Sequence, residues 1–347
     1  MSRGRLTLTS SDSRITAHFR PLTYNPAMRP RTVCVLGGSG FVGSHLCPAL
    51  AGAGHRVTVL SRDPERARHL RVVPAIRVLR CNVHDAKQLA AALAGHDAVV
   101  NLVGILNEGR RDDTRFRNVH TGLAEKVVEA CRDEHIDRLL HMSALRADAD
   151  RGPSRYLRSK GRAERFVREE GGPDFRWTIF QPSVIFGDGD SFVSGLAAAL
   201  RSAPLALPLV APGARVSPVW VGDVVEAMLK ALEDDDTAGE SYQLCGPEVF
   251  TLWRLATLLR DDLGLRKPVI PLPRPLSRLV ATLMGFVPGS PLSVDSYHSL
   301  SVDSVCTSSG FRRLGIQPRS LRGIAPRYLG LEGERTRYPR FRSRARR

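Results

Sequence analysis

Residues 32–45 read Thr32-Val-Cys-Val-Leu36-Gly37-Gly-Ser-Gly40-Phe-Val-Gly43-Ser-His45, a short apolar strand running straight into glycines at 37, 40 and 43. Glycine lets the backbone turn sharply after a strand. It also lets the chain approach a pyrophosphate with no Cβ in the way, while the helix that follows points free N–H groups at the phosphates. The spacing predicts a strand over Val33–Leu36, an amphipathic helix from Phe41 to about Ala51 and a second strand over Arg56–Leu60. Three glycines alone are weak evidence; set between a strand and a helix they form a dinucleotide-binding turn. Ser39, Phe41 and Val42 belong to the same cradle.

Outward from this turn, strand and helix signals alternate. Asp63-Pro64-Glu65 is a helix start, with Asp63 as cap and proline at the first helical position. Ile76–Leu79 reads as a strand, His84-Asp85-Ala86-Lys87-Gln88 opens a helix to about Ala94, and Ala98–Val103 is a strand apolar except for Asn101. A helix is expected from about Thr114 to Glu134, a strand over Arg138–Ser143, a helix over Pro153–Glu169 and a strand over Trp177–Gln181. This alternation predicts an α/β fold with a doubly wound parallel Rossmann sheet over residues 31–182. Beyond Pro182, proline clusters separate short helical pieces such as Val224–Leu232 and Leu252–Leu263. Residues 183–330 read as a smaller substrate-side lobe with segments returning to the sheet. Residues 1–30 and 331–347 read as a basic extension and a basic tail.

The 347 residues carry a net charge of +16, but its location is uneven. Residues 1–31 hold six arginines against Asp12, and residues 335–347 hold seven arginines and no acid, which leaves 38 basic and 34 acidic residues between them. The body is only mildly basic, with no basic stripe interleaved with aromatics, so specific nucleic-acid binding is not expected. The tails suit an anionic surface, whether lipid headgroups, an acidic partner or nonspecific nucleic acid, or are simply solvated. The N-terminal stretch is rich in Arg, Ser and Thr like an organelle transit peptide, although Met28 leading directly into the first strand is the preferred start. The chain is expected to be cytoplasmic, with a peripheral inner-membrane position or organellar import as alternatives. The six cysteines are scattered without a paired spacing and read as small buried thiols, not a disulfide framework or metal site. No metal ligand set is visible.

Just past the second strand, where an acid would select NAD by binding the ribose 2′-hydroxyl, Ser61 and Arg62 occupy that place, and Asp63 is better explained by its cap. A guanidinium there pairs a 2′-phosphate, which favours NADP(H) over NAD(H). Asn82 and Val83, after the third strand, fall where an adenine edge is read. Further on, Tyr156 and Lys160 are one helical turn apart, so phenol and ammonium share a face. Hydride chemistry at a carbonyl or alcohol needs a proton donor at the reacting oxygen, and a neighbouring cation makes a phenol fit for it. Ser143, ending the fifth strand, can polarise the same oxygen, and Asn118 is a further polar group behind the pair.

With Gly37-x-x-Gly40-x-x-Gly43, Asn101-Leu-Val-Gly104, Ser143, Tyr156-x-x-x-Lys160 and Gln181-Pro-Ser-Val-Ile-Phe-Gly187, the chain resembles the short-chain dehydrogenase/reductase superfamily over roughly residues 31–310. Pro218-Val-Trp-Val-Gly-Asp223 resembles a segment of its extended branch, the NAD-dependent epimerase/dehydratase-like proteins. The combination is most similar to the atypical group around the nucleotide-binding accessory subunit of respiratory complex I and its bacterial relatives. The resemblance implies Tyr156, Lys160 and Ser143 as catalytic residues, and Leu102, Val103, Pro182 and Val184 beside the nicotinamide half of the cofactor. It also implies a tightly bound nucleotide and association with a respiratory membrane complex or quinone chemistry. Asn82 stands in place of the usual aspartate, Ala144-Leu145 where many epimerases carry hydroxyls, and Arg146–Arg151 is heavily charged. Three functions follow: an oxidoreductase, a cofactor-holding accessory or assembly subunit, and a nucleotide-sugar epimerase or dehydratase.

Overall fold

The computed structural model describes residues 30–105, 116–170, 172, 174–284 and 294–329. Its centre is a seven-stranded parallel sheet of β1 (Thr32–Leu36), β2 (Arg56–Ser61), β3 (Ile76–Arg80), β4 (Ala98–Asn101), β5 (Arg138–Met142), β6 (Arg176–Pro182) and a strand returning later in the chain, Glu240–Leu244. Across the sheet the order is the returning strand, then β6, β5, β4, β1, β2 and β3. Chain order therefore reverses between β1 and β4, where Leu36 sits beside Asn101. In an open α/β sheet that reversal opens a crevice at the carboxyl ends of the strands.

The strands are apolar because both faces are covered. On one face Val33, Val35, Val57, Val59, Val100 and Leu140 pack under α1 (Phe41–Gly52). On the other, Cys34, Leu36, Val99, Leu139 and Ile179 meet α2 (Ala86–Leu93), α3 (Gly122–Asp133) and α4 (Arg155–Glu170). After β6 the chain runs through β7 (Ile185–Phe186), α5 (Val193–Ser202), β8 (Leu207–Leu209), β9 (Arg215–Val216), β10 (Val219–Trp220) and α6 (Val221–Glu233), which packs on α1. Then come β11, the returning Glu240–Leu244, and β12 (Phe250–Thr251), α7 (Leu252–Asp262), β13 (Val269–Pro271) and α8 (Arg274–Met284). Helices α9 (Val294–Leu300), α10 (Gly310–Arg313) and α11 (Leu321–Tyr328) follow. Short strands pair as β7 with β10, β8 with β13 and β9 with β12.

A buried guanidinium fastens the return. Arg138 is fully enclosed and donates to the carbonyls of Arg176 and Ala231 and to the Thr237 hydroxyl. Local outcomes differ from expectation in three places. The segment behind the Asp63 cap is a 3₁₀ helix, Pro64–Leu70. Strand β4 stops at Asn101, whose side-chain oxygen takes the Val103 N–H. The helix before Asp133 begins with a π turn, Arg117–Thr121; Thr114, its expected start, lies outside the described residues.

The reading of all six cysteines as buried thiols is corrected. Cys245 and Cys306 are disulfide-bonded, joining the end of β11 to the segment before α10; a separation of 61 residues left no paired spacing to see. Cys34, Cys47, Cys81 and Cys131 are free and buried. Among the described residues no helix is long and apolar enough to cross a membrane, and no group of metal-ligating side chains is present.

Burial pushes the Cys47 and Cys131 thiols up to about 12, and those of Cys34 and Cys81 upward as well, from 9.0. Above pH 9 the unfolded chain therefore releases protons that the native state keeps, and stability falls with rising pH. Between 9.0 and about 12, Cys47 and Cys131 each contribute up to about 1.4 kcal/mol per pH unit. Urea unfolding of Cys131→Ala should show a shallower alkaline decline than the wild type by one such share; equal slopes would contradict the assignment.

Candidate functional site

The first turn is built where a side chain will not fit. Gly37 has φ +79°, and a Cβ there would lie 3.1 Å from both the Leu102 carbonyl carbon and the Val103 nitrogen. A Cβ on Gly43 would lie 2.4 Å from the Gly38 Cα. Gly40 precedes α1 without any side-chain cap, and its N–H donates to the Gly37 carbonyl (3.0 Å). The amino end of α1 thus faces the crevice uncapped, with Ser39 and Val42 half-buried beside it. These are the features an incoming pyrophosphate needs. The Phe41 ring lies against Gly187 and Gly189, and His45 Nε2 bonds the Asp188 carbonyl (2.9 Å), so the loop after β7 borders the same crevice.

At the β2 end, the Ser61 hydroxyl is buried and donates to the Asp63 carbonyl (2.8 Å). Arg62 is exposed. The Asp63 carboxylate accepts the Glu65 N–H and acts as a cap. His84 is held below its ordinary value by burial and by the charges of Lys126 and Arg62, which brings three basic side chains to one corner. Asn82 is exposed, its oxygen accepting the His84 N–H (3.2 Å), and Val83 is buried.

The carboxyl ends of β4, β5 and β6 bring Leu102, Val103, Ser143, Pro182 and Val184 to the same edge as the face of α4 that carries Lys160. Lys160 is buried and donates through Nζ to the carbonyls of Met142 (2.9 Å) and Val103 (3.4 Å). Burial pulls its ammonium down to about 8, against the opposing charge of Glu164. Tyr156 is half-buried, packed edge-on against His120 (ring centroids 5.5 Å apart) and Phe116 (6.0 Å), and burial pushes its phenol up to about 12. Ser143 Oγ is buried without an aligned hydrogen bond, although it stands close enough to the Glu164 carboxylate to favour its ionised form.

Beneath these groups lies a polar layer that sequence reasoning missed. His120 Nε2 accepts the Ile105 N–H (3.0 Å), so Nδ1 carries the proton and donates to Ser159 Oγ (2.8 Å), which donates to the Tyr156 carbonyl (2.7 Å). Burial, with Lys160 and His141 nearby, holds His120 at about 2, hence neutral. His141, likewise held at about 3, faces Asn101. Glu164 accepts from Gln181 Nε2 at both oxygens (3.0 and 2.8 Å) and from Arg168 (2.9 Å). Burial raises the pKa of its carboxyl against these partners. Its spacing was readable, since Tyr156, Lys160 and Glu164 recur every four residues. His120 and His141 offer no local signal. Asn118 is exposed, and His120 takes the place behind the tyrosine expected for it.

Residues 37–198 match the family described as NAD(P)H-binding. Over 331 residues the chain is 26% identical to the NADH-ubiquinone oxidoreductase 40 kDa subunit, mitochondrial, of Neurospora crassa, covering 92% of this chain and 85% of that one. It is 29% identical to the NADH dehydrogenase (ubiquinone) 1 alpha subcomplex subunit 9, mitochondrial, of Arabidopsis thaliana, covering 85% and 76%. It is also 29% identical to a 4-hydroxy-2-methyl-3-oxo-4-farnesyl-3,4-dihydroquinoline-1-oxide ketoreductase of Stigmatella aurantiaca, covering 72% and 78%. The fold matches a dTDP-glucose 4,6-dehydratase from Streptomyces venezuelae solved with NAD, with TM-score 0.69 at 19% identity over 90% of this chain and 98% of that one. A first turn where Gly37 and Gly43 leave no room for a side chain, a reversal of strand order above it and these comparisons agree: the chain has a Rossmann-like fold of the epimerase/dehydratase kind, matches an NAD(P)H-binding family over residues 37–198, and is similar in sequence to the 40 kDa and alpha subcomplex 9 subunits of mitochondrial NADH-ubiquinone oxidoreductase.

Proposed function

We propose that the protein holds NADP(H), in preference to NAD(H), along the carboxyl edge of the sheet, as a nucleotide-holding accessory or assembly subunit of a membrane respiratory complex. The observation that carries this reading is the state of the Tyr156/Lys160 pair. The ammonium is directed at two backbone carbonyls, and burial raises the pKa of the phenol, which makes it a weaker proton donor. Such a pair suits holding a ribose better than moving a proton. The cofactor, when bound, supplies a hydride donor or acceptor; the glycine turn would bind its pyrophosphate, and Arg62, with His84 and Lys126, its 2′-phosphate. The respiratory partner is supported by the complex I relatives.

A second reading, oxidoreduction of a carbonyl, alcohol or quinone-linked substrate, is supported by the buried Ser143 hydroxyl without an aligned partner and by the ketoreductase relative. The nucleotide-sugar epimerase reading is less favoured. Arg146, in the charged stretch after Ser143, donates to the carbonyls of Asp303 and Val305 and so is engaged in holding the chain together.

Purified protein should retain NADP(H), and its absorbance should stay constant when carbonyls or quinones are added. A deletion strain should lose its assembled respiratory complex and be rescued by Tyr156→Phe. Turnover abolished by Tyr156→Phe would overturn the accessory reading in favour of the enzyme. Arg62→Glu should weaken NADPH binding at least tenfold, about 1.4 kcal/mol, and leave NADH binding within about twofold; equal losses would remove Arg62 from the site.

Lys160 gives a pH test. Between its native value near 8 and its ordinary value of 10.5, the native state loses a proton that the unfolded chain keeps. Its contribution to stability therefore rises with pH, by about 1.4 kcal/mol per unit at most. From about pH 8 to 9 the difference in unfolding free energy between wild type and Lys160→Met should drift toward the wild type by about 1 kcal/mol. A constant difference would show that the ammonium is not desolvated.

A further inference from the structure

Helix α8 is mounted with its apolar stripe facing away from the protein. Its sequence, RPLSRLVATLM, sets Leu276, Leu279 and Leu283 within about 60° of arc. They are 41%, 53% and 58% exposed. The side turned to the body is small instead: Ser277 and Ala281 are fully buried, and Ser277 Oγ donates to the Leu272 carbonyl (3.0 Å) and accepts the Ala211 N–H (3.4 Å). A helix that only closed its own fold would turn its leucines inward. Ile270, on β13 just before the helix, is 48% exposed as well. The charged residues of α8 are Arg274 and Arg278, and it contains no acid.

The last described residue, Leu329, is tied to the same lobe. Arg201 donates to the carbonyl of Leu329 (2.9 Å), and Lys267, two residues before β13, donates to the Arg201 carbonyl (2.9 Å). Beyond it, residues 335–347 hold seven arginines, Tyr338 and Phe341, and no acid. We propose that the leucine stripe of α8, together with this arginine run, seats the protein on the surface of an anionic phospholipid bilayer, the helix lying in the plane of the headgroups.

Two signals, an inserted apolar stripe and a polybasic segment, are what stable peripheral binding requires. A convex single-helix stripe beside cations of one sign fits a diffuse anionic surface. It fits a second copy poorly, because two such faces would bring like charges together. No described helix can span a bilayer, so the contact is one of lying on the surface. The inference does not rest on the nucleotide reading, and either can fail alone.

The test is flotation of the full-length protein with vesicles of phosphatidylcholine, with and without phosphatidylglycerol, alongside its NADPH affinity and thermal melting. Wild type should float with the phosphatidylglycerol vesicles at low salt and not with phosphatidylcholine alone. Leu279→Glu/Leu283→Glu should bind at least about tenfold more weakly, and Arg340→Gln/Arg342→Gln/Arg344→Gln should lose affinity and flatten the salt dependence. Both should melt and bind NADPH as the wild type does. If the glutamate pair fails to fold, Leu279→Ser/Leu283→Ser replaces it. Failure of the wild type to float, or flotation of the leucine variants undiminished, overturns the proposal. So does a wild-type dimer in sedimentation that the leucine variants convert to monomer.

Discussion

The architecture depends on one close approach of backbone to backbone. Gly43 lies so near Gly38 that no Cβ can stand between them, and the chain leaving β4 crosses Gly37 closely, 3.1 Å from where a Cβ would stand. The first contact fixes the start of α1 directly over the end of β1, with its N–H groups uncapped toward the crevice. The second brings Leu102, Val103 and Gly104 over that turn. A Cβ on Gly104 would then lie 3.2 Å from Lys160 Nζ. Glycine turn, strand exit and buried ammonium therefore form one connected packing unit, and the rest of the crevice is arranged around it.

Beneath that unit the polar groups are satisfied mainly by one another. The neutral His120 relays a hydrogen bond through Ser159 to the backbone of Tyr156, and Glu164 is held by Gln181 and Arg168. Such a network in a low-dielectric interior orients α4 against the sheet more strictly than apolar packing would, because a shift would leave buried donors without acceptors. The exceptions, His141 Nε2 and Ser143 Oγ, stand on β5 and at its end, nearest the crevice.

The sheet and its helices were legible because parallel strands covered on both faces write continuous apolar runs, and because Asp63 and Asp85 mark helix starts through their own caps. The Tyr156/Lys160 pair was legible through helical periodicity, and Glu164 obeys the same rule one turn on. What escaped notice depends on tertiary placement. His141 meets Asn101 only because β4 and β5 are neighbours, and His120 meets Lys160 only because the π turn packs on α4. Cys245 finds Cys306 only after the chain has folded back. Ser61 was expected to face the nucleotide, yet its hydroxyl closes a local turn on Asp63, a competition that short hydroxyl side chains often win at strand ends.

The enclosed guanidinium of Arg138 ties the two halves of the chain into a single cooperative unit. Its acceptors come from β6, from α6 and from the turn before β11. A fragment truncated at Pro182 would keep every strand up to β6 and the glycine turn. It would also strand a charge in the interior without two of its three acceptors and bare the β6 edge along its whole length. The segment that looks like a self-sufficient nucleotide module would thus be an aggregating intermediate, and the long return of the chain is part of what lets its first half exist as a soluble fold.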